Sequence, residues 1–465
     1  MGQLTSLLTT RGTRIETEDG EGVHLKGVGL GGWMNMENFI TGYPANEALM
    51  RSSVARVLGQ ERSAMFFDRL LHSFFGPADA ELLASMGLNH VRLPINYRHF
   101  EDDERPFEIK EDGFRHLDRV IDLCADAGLY TIIDLHAAPG AQNHHWHSDN
   151  VTHVPLFWQH PHFQDRAVHL WEVLADRYKD RPEVAGYNLL NEPADETHER
   201  LTRFYERIVG AVRAIDPRHI LFLDGNTYST EFDVFQEVWD NTVYTCHDYA
   251  SAGLSFGGEY PGYTRGEWVD RDLLEEKFLR RSEYSRKTGT PIWVGEFGPV
   301  YTGEPRLDEQ RAQILDDQLE IYSRYDAGWA IWTYKDIGLQ GIAYTPGDSV
   351  WMQRFGAFAA KKHRLGADRW GTTGVGEAAV TDPVRQLADR EFPTFQPYPW
   401  GRQDWVNTLL LNVMMAQPLV DEYAELYRGV SDDELLELAD SFSLENCAVR
   451  ETLVKQLTAA AAPVS

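Results

Sequence analysis

The sequence predicts an α/β fold, a closed (β/α)8 TIM barrel with long loops after the strands and a helical C-terminal extension. Two observations support this prediction. Short apolar runs alternate along the chain with segments of helical periodicity, which is typical of strand–helix units around a parallel sheet. Polar, titratable and aromatic residues stand where these runs end, and they favour the barrel over the alternative, a doubly wound open sheet.

Eight strand candidates follow one another along the chain. Each is short and apolar, and each is closed by polar residues, Gly or Pro. They cover residues 23–32, 90–96, 130–137, 184–192, 219–225, 242–249, 291–297 and 328–335.

Helix candidates lie between and after the strands. Their apolar residues return at spacings of three and four, and Gly87 and Gly128 stand where helices are expected to stop. The clearest candidates are residues 78–87, 113–128, 163–180, 198–216, 310–327 before the last strand and 349–363 after it.

The composition changes beyond residue 365, so we expect a barrel over residues 1–365 and an extension over 366–465. Residues 364–405 are rich in turn formers and are expected to form loops, whereas residues 405–460 have helical periodicity. The apolar face of these helices could pack on the barrel or against another subunit, which leaves a homo-oligomer open.

Composition and charge argue against nucleic acid and membranes as binding partners. The chain has 465 residues and a formal charge of −28, from 72 acidic and 44 basic side chains. The negative field repels nucleic acid and anionic membrane surfaces. The N-terminal residues lack the apolar core of a secretory signal, and no apolar run approaches the ~18–20 residues that a membrane span needs. We therefore expect a soluble, cytoplasmic protein without membrane insertion.

The strand ends provide the candidate functional residues, because chemistry in such barrels lies at the C-terminal ends of the strands. Two glutamates, Glu192 and Glu296, end the fourth and seventh candidates. The full set at the strand ends is Trp33, Arg92, Asn96, His136, Asn191, Glu192, Asn226, His247, Tyr249, Glu296 and Trp332.

The two glutamates fit the hydrolysis of a glycosidic bond. One carboxyl group protonates the leaving oxygen, and the other meets the positive charge at the anomeric carbon. Arg92 and Tyr249 are expected to hold Glu296 ionised, because a cation and a hydroxyl donor favour the charged form. Glu192, beside His247, is expected to keep its proton at neutral pH.

This pattern resembles glycoside hydrolase family 5, which consists of retaining barrel glycosidases. The residues that carry the resemblance, within about residues 20–365, are Arg92, His136, Asn191, Glu192, His247, Tyr249, Glu296 and Trp332. The resemblance implies that Glu192 is the acid/base, that Glu296 is the nucleophile and that Asn191 binds the sugar 2-hydroxyl. It implies that the remaining residues bind substrate or support the acids, and that no cofactor is needed.

Within the family, "GVGLGGWMNMENFI" and "HAAPGAQN" are similar to the branch of exo-1,3-glucanases and bacterial exo-β-glycosidases, including β-mannosidase-like members. This similarity implies that Gln142 and Asn143 are sugar ligands. The stretch "HHWHSDN" departs from the pattern of the fungal exo-1,3-glucanases, and the C-terminal extension has no counterpart in those enzymes.

Long loops are expected to close the barrel mouth into a pocket. In the third loop, residues 138–163, Trp146 and Trp158 could present flat faces to a sugar. The alternative for this loop is a metal site. We expect no metal, because adjacent histidines seldom converge without carboxylate or cysteine partners, and the three widely spaced cysteines form no CxxC pair. The sixth loop, residues 251–268, could enclose the same mouth together with Trp33.

We therefore expect a retaining β-glycosidase that hydrolyses β-linked glucosides or mannosides by double displacement, exo-acting on short oligosaccharides or glycoconjugates. An endo-acting β-glucanase or mannanase of the same family is an alternative. Two other classes are a carbohydrate-binding barrel without turnover and a metal-dependent hydrolase that uses the histidine-rich loop. The intact pair of acids favours an enzyme over a binding protein.

Overall fold

A computed structural model of the chain describes residues 4–250, 254, 258–264, 266–367 and 375–462. Eight parallel strands in these residues close into a barrel in which each pairs with the next along the chain and the eighth pairs with the first. The predicted (β/α)8 barrel is confirmed. The strands are β1 (Lys26–Gly29), β2 (His90–Asn96), β3 (Tyr130–Ala137), β4 (Val184–Asn188), β5 (Ile220–Asp224), β6 (Thr242–His247), β7 (Ile292–Phe297) and β8 (Gly328–Ile331).

Alternate residues of the strands face two apolar layers. In β3, Ile132 belongs to the cluster that fills the barrel, whereas Ile133 belongs to the larger cluster shared with the surrounding helices. Every residue of β3 is buried. Burial on both faces explains why the strands are nearly continuous apolar runs in the sequence. The polar exceptions in β3, Asp134 and His136, lie toward its C-terminal end and belong to the candidate site.

Helices surround the barrel and form most of the extension. None in the described part of the chain is both long and apolar enough to span a bilayer. The α-helices are Asn38–Thr41, Glu47–Leu58, Gln60–Phe74, Pro77–Ser85, Phe114–Asp126, Pro161–Tyr178, Glu199–Ile215, Asn226–Ser229, Arg271–Arg281, Glu283–Thr288, Pro305–Arg324, Val350–Arg364, Val375–Glu391, Gly401–Asn407, Ala416–Glu425, Asp432–Asp440 and Glu451–Ala461.

The remaining regular elements are short. A hairpin of Leu8–Arg11 and Arg14–Thr17 precedes the barrel, and its Leu8 and Ile15 join the cluster inside it. Other short strands are Gly262–Thr264, Glu267–Val269, Lys335–Asp336, Ala343–Tyr344 and Ala448–Val449, and Thr408–Met415 is π-helical.

One expectation for the extension is wrong. Residues 364–405 were expected to form loops, but Val375–Glu391 is a helix of 17 residues with Pro383 in its interior. Proline removes one backbone donor and normally interrupts a helix. Here the helix continues past Pro383, and the presence of this proline is why the sequence indicated a loop instead of a helix.

The extension packs on the barrel of its own chain, which is one of the two arrangements left open by the sequence. The ring centroid of Phe66 lies 5.3 Å from that of Tyr427, and the ring of Trp351 lies 4.9 Å from that of Phe442.

A buried ammonium group also joins the two parts. Lys335 has no exposed side-chain surface, and its Nζ donates to Asp79 Oδ1 at 2.6 Å and to the carbonyl oxygens of Phe74 and Phe442 at 2.8 and 2.7 Å. Such a charge is tolerated inside a protein only when it is paired and fully hydrogen-bonded.

Candidate active site

The two predicted acids meet at the mouth of the barrel. Glu296 is part of β7, whereas Glu192 lies just beyond the end of β4. A carboxylate oxygen of each and a ring nitrogen of His247 all lie within 4.8 Å of one another. The two residues are only 8% and 4% exposed. The fold thus brings two acids that are distant in sequence into one narrow site.

Glu192 has a backbone conformation that is unusual for its residue type. Its φ of 45° is in the left-handed region, and its N–H donates to Asp224 Oδ2 at 2.9 Å. The preceding Asn191 N–H donates to Leu135 O of β3 at 3.0 Å. Left-handed residues other than Gly cost free energy and cluster at functional sites.

Arg92 of β2 organises the side of the site that contains Glu296. Its Nη1 donates to Glu296 Oε1 at 2.7 Å, and its Nη2 and Nε donate to the Oδ1 atoms of Asn191 and Asn188 at 2.6 and 3.0 Å. Burial lowers the pKa of Arg92, but the carboxylates of Asp134 and Glu296 outweigh burial and raise it above its ordinary value. A permanent cation therefore stands beside Glu296.

Both oxygens of Glu296 accept hydrogen bonds. Arg92 donates to one, and Tyr249 Oη donates to the other at 2.8 Å. These two donors fix the plane of the carboxylate, and they are the two residues that the sequence analysis expected beside Glu296.

His136 and Trp332 form a stacked pair at the same mouth. Their ring centroids are 5.3 Å apart with an interplanar angle of 6°. His136 Nδ1 lies 2.7 Å from Asp134 Oδ2, and its Nε2 lies 3.6 Å from Glu37 Oε1. Burial lowers the pKa of His136, but these carboxylates outweigh burial and raise the pKa to about 10. His136 is therefore a buried cation at neutral pH.

Glu192 is held by two histidines. His247 Nδ1 lies 2.6 Å from its Oε1, and His147 Nε2 lies 3.1 Å from its Oε2. Burial raises the pKa of Glu192, but the hydrogen bonds from these histidines outweigh burial and lower it well below the ordinary value. Burial lowers the pKa of His247, yet the surrounding carboxylates raise it overall. Both pKa shifts run against the expectation that Glu192 keeps its own proton in the unliganded site, because they favour the proton on the imidazole.

Asn191 has one amide atom engaged and one that faces a cation. Its Oδ1 accepts from Arg92, while its Nδ2 lies 3.4 Å from Nε2 of the charged His136. Two donors that face each other do not bond, so this Nδ2 is available for an acceptor on a ligand. Asn191 is fully buried in this structure, so the predicted contact with a sugar hydroxyl stays a prediction.

Two of the predicted site residues serve the scaffold. Trp33 is fully buried, and its indole N–H donates to Leu71 O at 2.9 Å. Gln142 is fully buried, donates to the carbonyl oxygens of His136 and Asn191 and accepts from Ala138 N–H. The prediction that Gln142 is a sugar ligand is therefore wrong, because its amide atoms are used inside the protein. Trp33, which was expected to help enclose the barrel mouth, is instead buried in the scaffold.

Asn143 and Trp158 also hold the third loop. Asn143 is fully buried, and its amide donates to Glu192 O at 3.1 Å and accepts from His145 N–H at 3.0 Å. Trp158 is buried and donates to Gln142 O at 2.8 Å, so it offers no face to a ligand. These bonds support a positioning role for Asn143 behind Glu192, in place of the predicted direct sugar contact.

The sequence reasoning did not assign His147, Asp134, Asn188 and Asp224 to the site. Three of these residues lie at strand ends, two or three positions from predicted residues, so reading both faces of each strand end could have found them. His147 lies in "HHWHSDN", the stretch that departs from the pattern of the fungal exo-1,3-glucanases, and nothing in the nearby sequence indicates that it contacts Glu192.

In the described residues, the histidines of the third loop do not come together as metal ligands would. The two described groups with such geometry are Glu192 with His247 and Glu296, and His198 with Glu231 and Asp233. The first of these groups is the acid pair itself. Residues 251–253, 255–257 and 265 of the sixth loop lie outside the described residues, so the pocket wall expected there is not described.

A barrel with two facing acids at its mouth defines a glycoside hydrolase. A model of the family described as cellulase (glycosyl hydrolase family 5) matches residues 75–338. The chain belongs to glycosyl hydrolase family 5, and the resemblance stated from the sequence is confirmed.

Relatives of the chain include enzymes named for several β-linked substrates. A "Beta-xylosidase" from Phanerodontia chrysosporium is 46% identical, over 97% of this chain and 97% of its own. That alignment includes the C-terminal extension. A "Probable glucan 1,3-beta-glucosidase A" from Neosartorya fischeri is 29% identical, over 71% of this chain and 86% of its own. The crystal structure of an endogalactoceramidase has a similar fold, with a TM-score of 0.52 and 18% identity, over 71% of this chain and 75% of its own.

Proposed function

We propose that this hydrolase is a retaining β-glycosidase, with Glu296 as nucleophile and Glu192 as acid/base. One observation carries the proposal: carboxylate oxygens of the two residues lie within 4.8 Å of each other. Inverting enzymes separate their acids by ~6.5–9.5 Å to hold a water molecule between one acid and the sugar, whereas retaining enzymes need ~5–5.5 Å.

In the first step, Glu296 attacks the anomeric carbon. A carbon–oxygen bond forms to its carboxylate, and the bond to the leaving group breaks. Arg92 and Tyr249 support this role, since they fix the carboxylate from both sides. Glu192 gives its proton to the departing oxygen, and Asn191 Nδ2 donates to the neighbouring sugar hydroxyl.

The proton of the first step is supplied by the pair of Glu192 and His247. In the unliganded site the lowered pKa of Glu192 and the raised pKa of His247 favour the proton on His247, whose Nδ1 lies 2.6 Å from Glu192 Oε1. A leaving group that displaces water from the site favours the neutral acid, because burial penalises the charged form. The proton then moves across this hydrogen bond to Glu192.

In the second step, water gives a proton to Glu192 and attacks the anomeric carbon. The ester bond to Glu296 breaks, and the sugar leaves with its original configuration. The proton that water gives to Glu192 replaces the one that left with the leaving group, so the pair of Glu192 and His247 ends the cycle as it began.

β-Xylosides and β-glucosides are the proposed substrates. A relative aligned over nearly the whole chain is named a beta-xylosidase, and another is named a glucan glucosidase. Both names also support exo action on short oligosaccharides or glycoconjugates over the endo alternative. Mannosides, which the sequence also suggested, stay a prediction.

The test is a panel of aryl β-glycosides of xylose, glucose, mannose and galactose, followed by proton NMR of the fastest reaction. We expect the β-anomer of the free sugar to be the first product. An α-anomer as first product would rule out retention. Sugar binding without turnover on any member would favour the carbohydrate-binding alternative.

Exo action has a separate test on a ladder of oligosaccharides of the preferred sugar. We expect single sugars as the first product from every length. A spread of mid-length products at early time would favour the endo alternative.

A further inference from the structure

The C-terminal extension reaches the barrel mouth at the loop after β5. Tyr398 Oη lies 2.9 Å from Thr227 Oγ1, and the ring of Trp400 lies 5.6 Å from that of Tyr228 at an angle of 33°. Both contacts bring residues of the extension to the loop that follows a barrel strand, where the chemistry of such a barrel is placed.

Tyr228 leads from the extension toward the acid Glu192. Its ring lies 4.9 Å from that of His145 and 6.1 Å from that of His147. His147 Nε2 in turn lies 3.1 Å from Glu192 Oε2. A continuous path of ring contacts therefore runs from Trp400 to the carboxyl group that protonates the leaving oxygen.

The turn that holds Tyr228 is strained. Thr227, Tyr228 and Ser229 have φ of 50°, 58° and 60°, in the left-handed region. This conformation is unfavourable for non-glycine residues, above all for a β-branched one, and persists where the surroundings impose it, often at ligand sites. Tyr228 N–H donates to Pro193 O at 3.2 Å, and Ser229 Oγ donates to Thr245 O at 2.7 Å, so the loops around the site impose it.

Trp400 is presented to solvent on a fixed segment. Its exposure is 47%, whereas that of Tyr228 is 7%. Arg402 Nη1 donates to Phe392 O and Phe395 O at 2.7 and 2.9 Å, which holds the segment before it. An accessible indole on a held segment loses little conformational entropy when it binds a ligand.

We propose that Trp400 and Tyr228 form the binding site for the leaving group, and that this group is a second sugar ring whose apolar face packs on the indole. The acid Glu192 must contact the oxygen that joins the two sugars. The rings of Tyr228 and Trp400, which lie beyond Glu192 toward solvent, would therefore border the leaving group. An aromatic platform with an accessible face suits a ring that is apolar on one side and polar at its edge. This inference rests on the proposed function, because it uses Glu192 as the acid.

The test compares two substrates of the sugar that the aryl panel selects: its β-linked disaccharide and its β-fluoride, whose leaving group has no ring. Trp400→Ala is expected to lower the ratio of kcat/KM for the disaccharide to kcat/KM for the fluoride by about fivefold or more. Trp400→Phe, which keeps an aromatic face, is expected to restore most of the ratio.

Trp405→Ala is the matched control. Trp405 lies in the same extension, is 43% exposed, and its ring contacts Phe395 at 5.3 Å. Its loss is expected to leave the ratio unchanged. An unchanged ratio in Trp400→Ala would overturn the inference, whether kcat/KM stays the same on both substrates or falls equally on both. Failure of the proposed function is distinguishable, because Glu296→Ala would then still turn over the fluoride.

Discussion

At the scale of single residues, the placement of Glu192 and Glu296 at one barrel mouth follows from the sequence, but the lowered pKa of Glu192 does not. Glu192 and Glu296 end two strands, and the barrel geometry brings strand ends together. The low pKa of Glu192 arises from His247 and from His147, which comes from a loop with no strand pattern. Contacts of this kind depend on the path of the loop, which one sequence does not specify.

The first prediction concerns the division of roles between the acids. Glu296→Ala is expected to lower kcat more than about a thousandfold on every substrate, because no nucleophile remains. Glu192→Ala is expected to lower kcat/KM, which reports the first step, about 10²–10⁴-fold on alkyl glycosides and much less on dinitrophenyl glycosides, whose leaving group needs no proton. Steady-state kinetics on both substrates measure the difference. Equal losses on the two substrates in Glu192→Ala would contradict its role as the acid.

The second prediction concerns His136, whose pKa is about 10 in the folded protein and ~6.5 in an unfolded chain. The raised pKa contributes stability that is fully present below pH ~6.5 and is lost as the pH rises to about 10, because folding takes up a proton in this window. Melting temperatures of the wild type and of His136→Gln are compared between pH 6.5 and 10. We expect the advantage of the wild type to shrink as the pH rises. A constant or growing advantage would show that His136 is not a buried cation.

At the scale of elements, the strands were predictable because burial on both faces makes them nearly continuous apolar runs. The helices Glu47–Leu58 and Gln60–Phe74 were not predicted, although both are regular. They form an insertion between β1 and β2, and the repeating strand–helix pattern gives no reason to expect it. The helix Val375–Glu391 was not predicted either, because it contains Pro383 and a proline breaks most helices.

The third prediction tests the close approach of two neighbouring strands. A Cβ added at Gly186 of β4 would lie 2.1 Å from Ile220 O of β5, so the backbone must move. We expect Gly186→Ala to lower the free energy of unfolding by about 1–3 kcal/mol. Urea denaturation measures this change.

Gly210→Ala is the control for this substitution. Gly210 lies inside the helix Glu199–Ile215, and a Cβ there meets nothing within 4 Å. Its replacement is expected to raise the free energy of unfolding by about 0.5–1 kcal/mol, because alanine is the better helix former. Equal effects of the two substitutions would refute the steric argument.

At the scale of the whole molecule, the sequence indicated a helical extension but not its partner. The residues that decide this, such as Lys335 and Phe442, are far apart in the chain and carry no mutual signal. The contacts described for the extension are with its own barrel, and we propose that the parts assigned to residues 1–365 and 366–465 unfold together.

The fourth prediction tests this coupling through Lys335. Lys335→Met leaves Asp79 without its cation and Phe442 O without its donor, and breaking such a buried pair costs about 3–5 kcal/mol. We expect the melting temperature to fall while calorimetry still shows a single transition. Lys361→Met, which breaks an exposed pair with Glu422, is the control and is expected to change stability by less than about 1 kcal/mol. Two separate transitions would show that barrel and extension unfold independently.

The position of Lys335 also bears on how the protein matures during synthesis. It leaves the ribosome 107 residues before Phe442, whose carbonyl completes its set of acceptors. Until then the ammonium group can reach only Asp79 and Phe74 O of its three acceptors, although both acids of the candidate active site have already been translated. The segment around Phe442 therefore completes this set of acceptors only after residues 1–365 have been translated, and a chain released before that point would lack one of the three acceptors of Lys335.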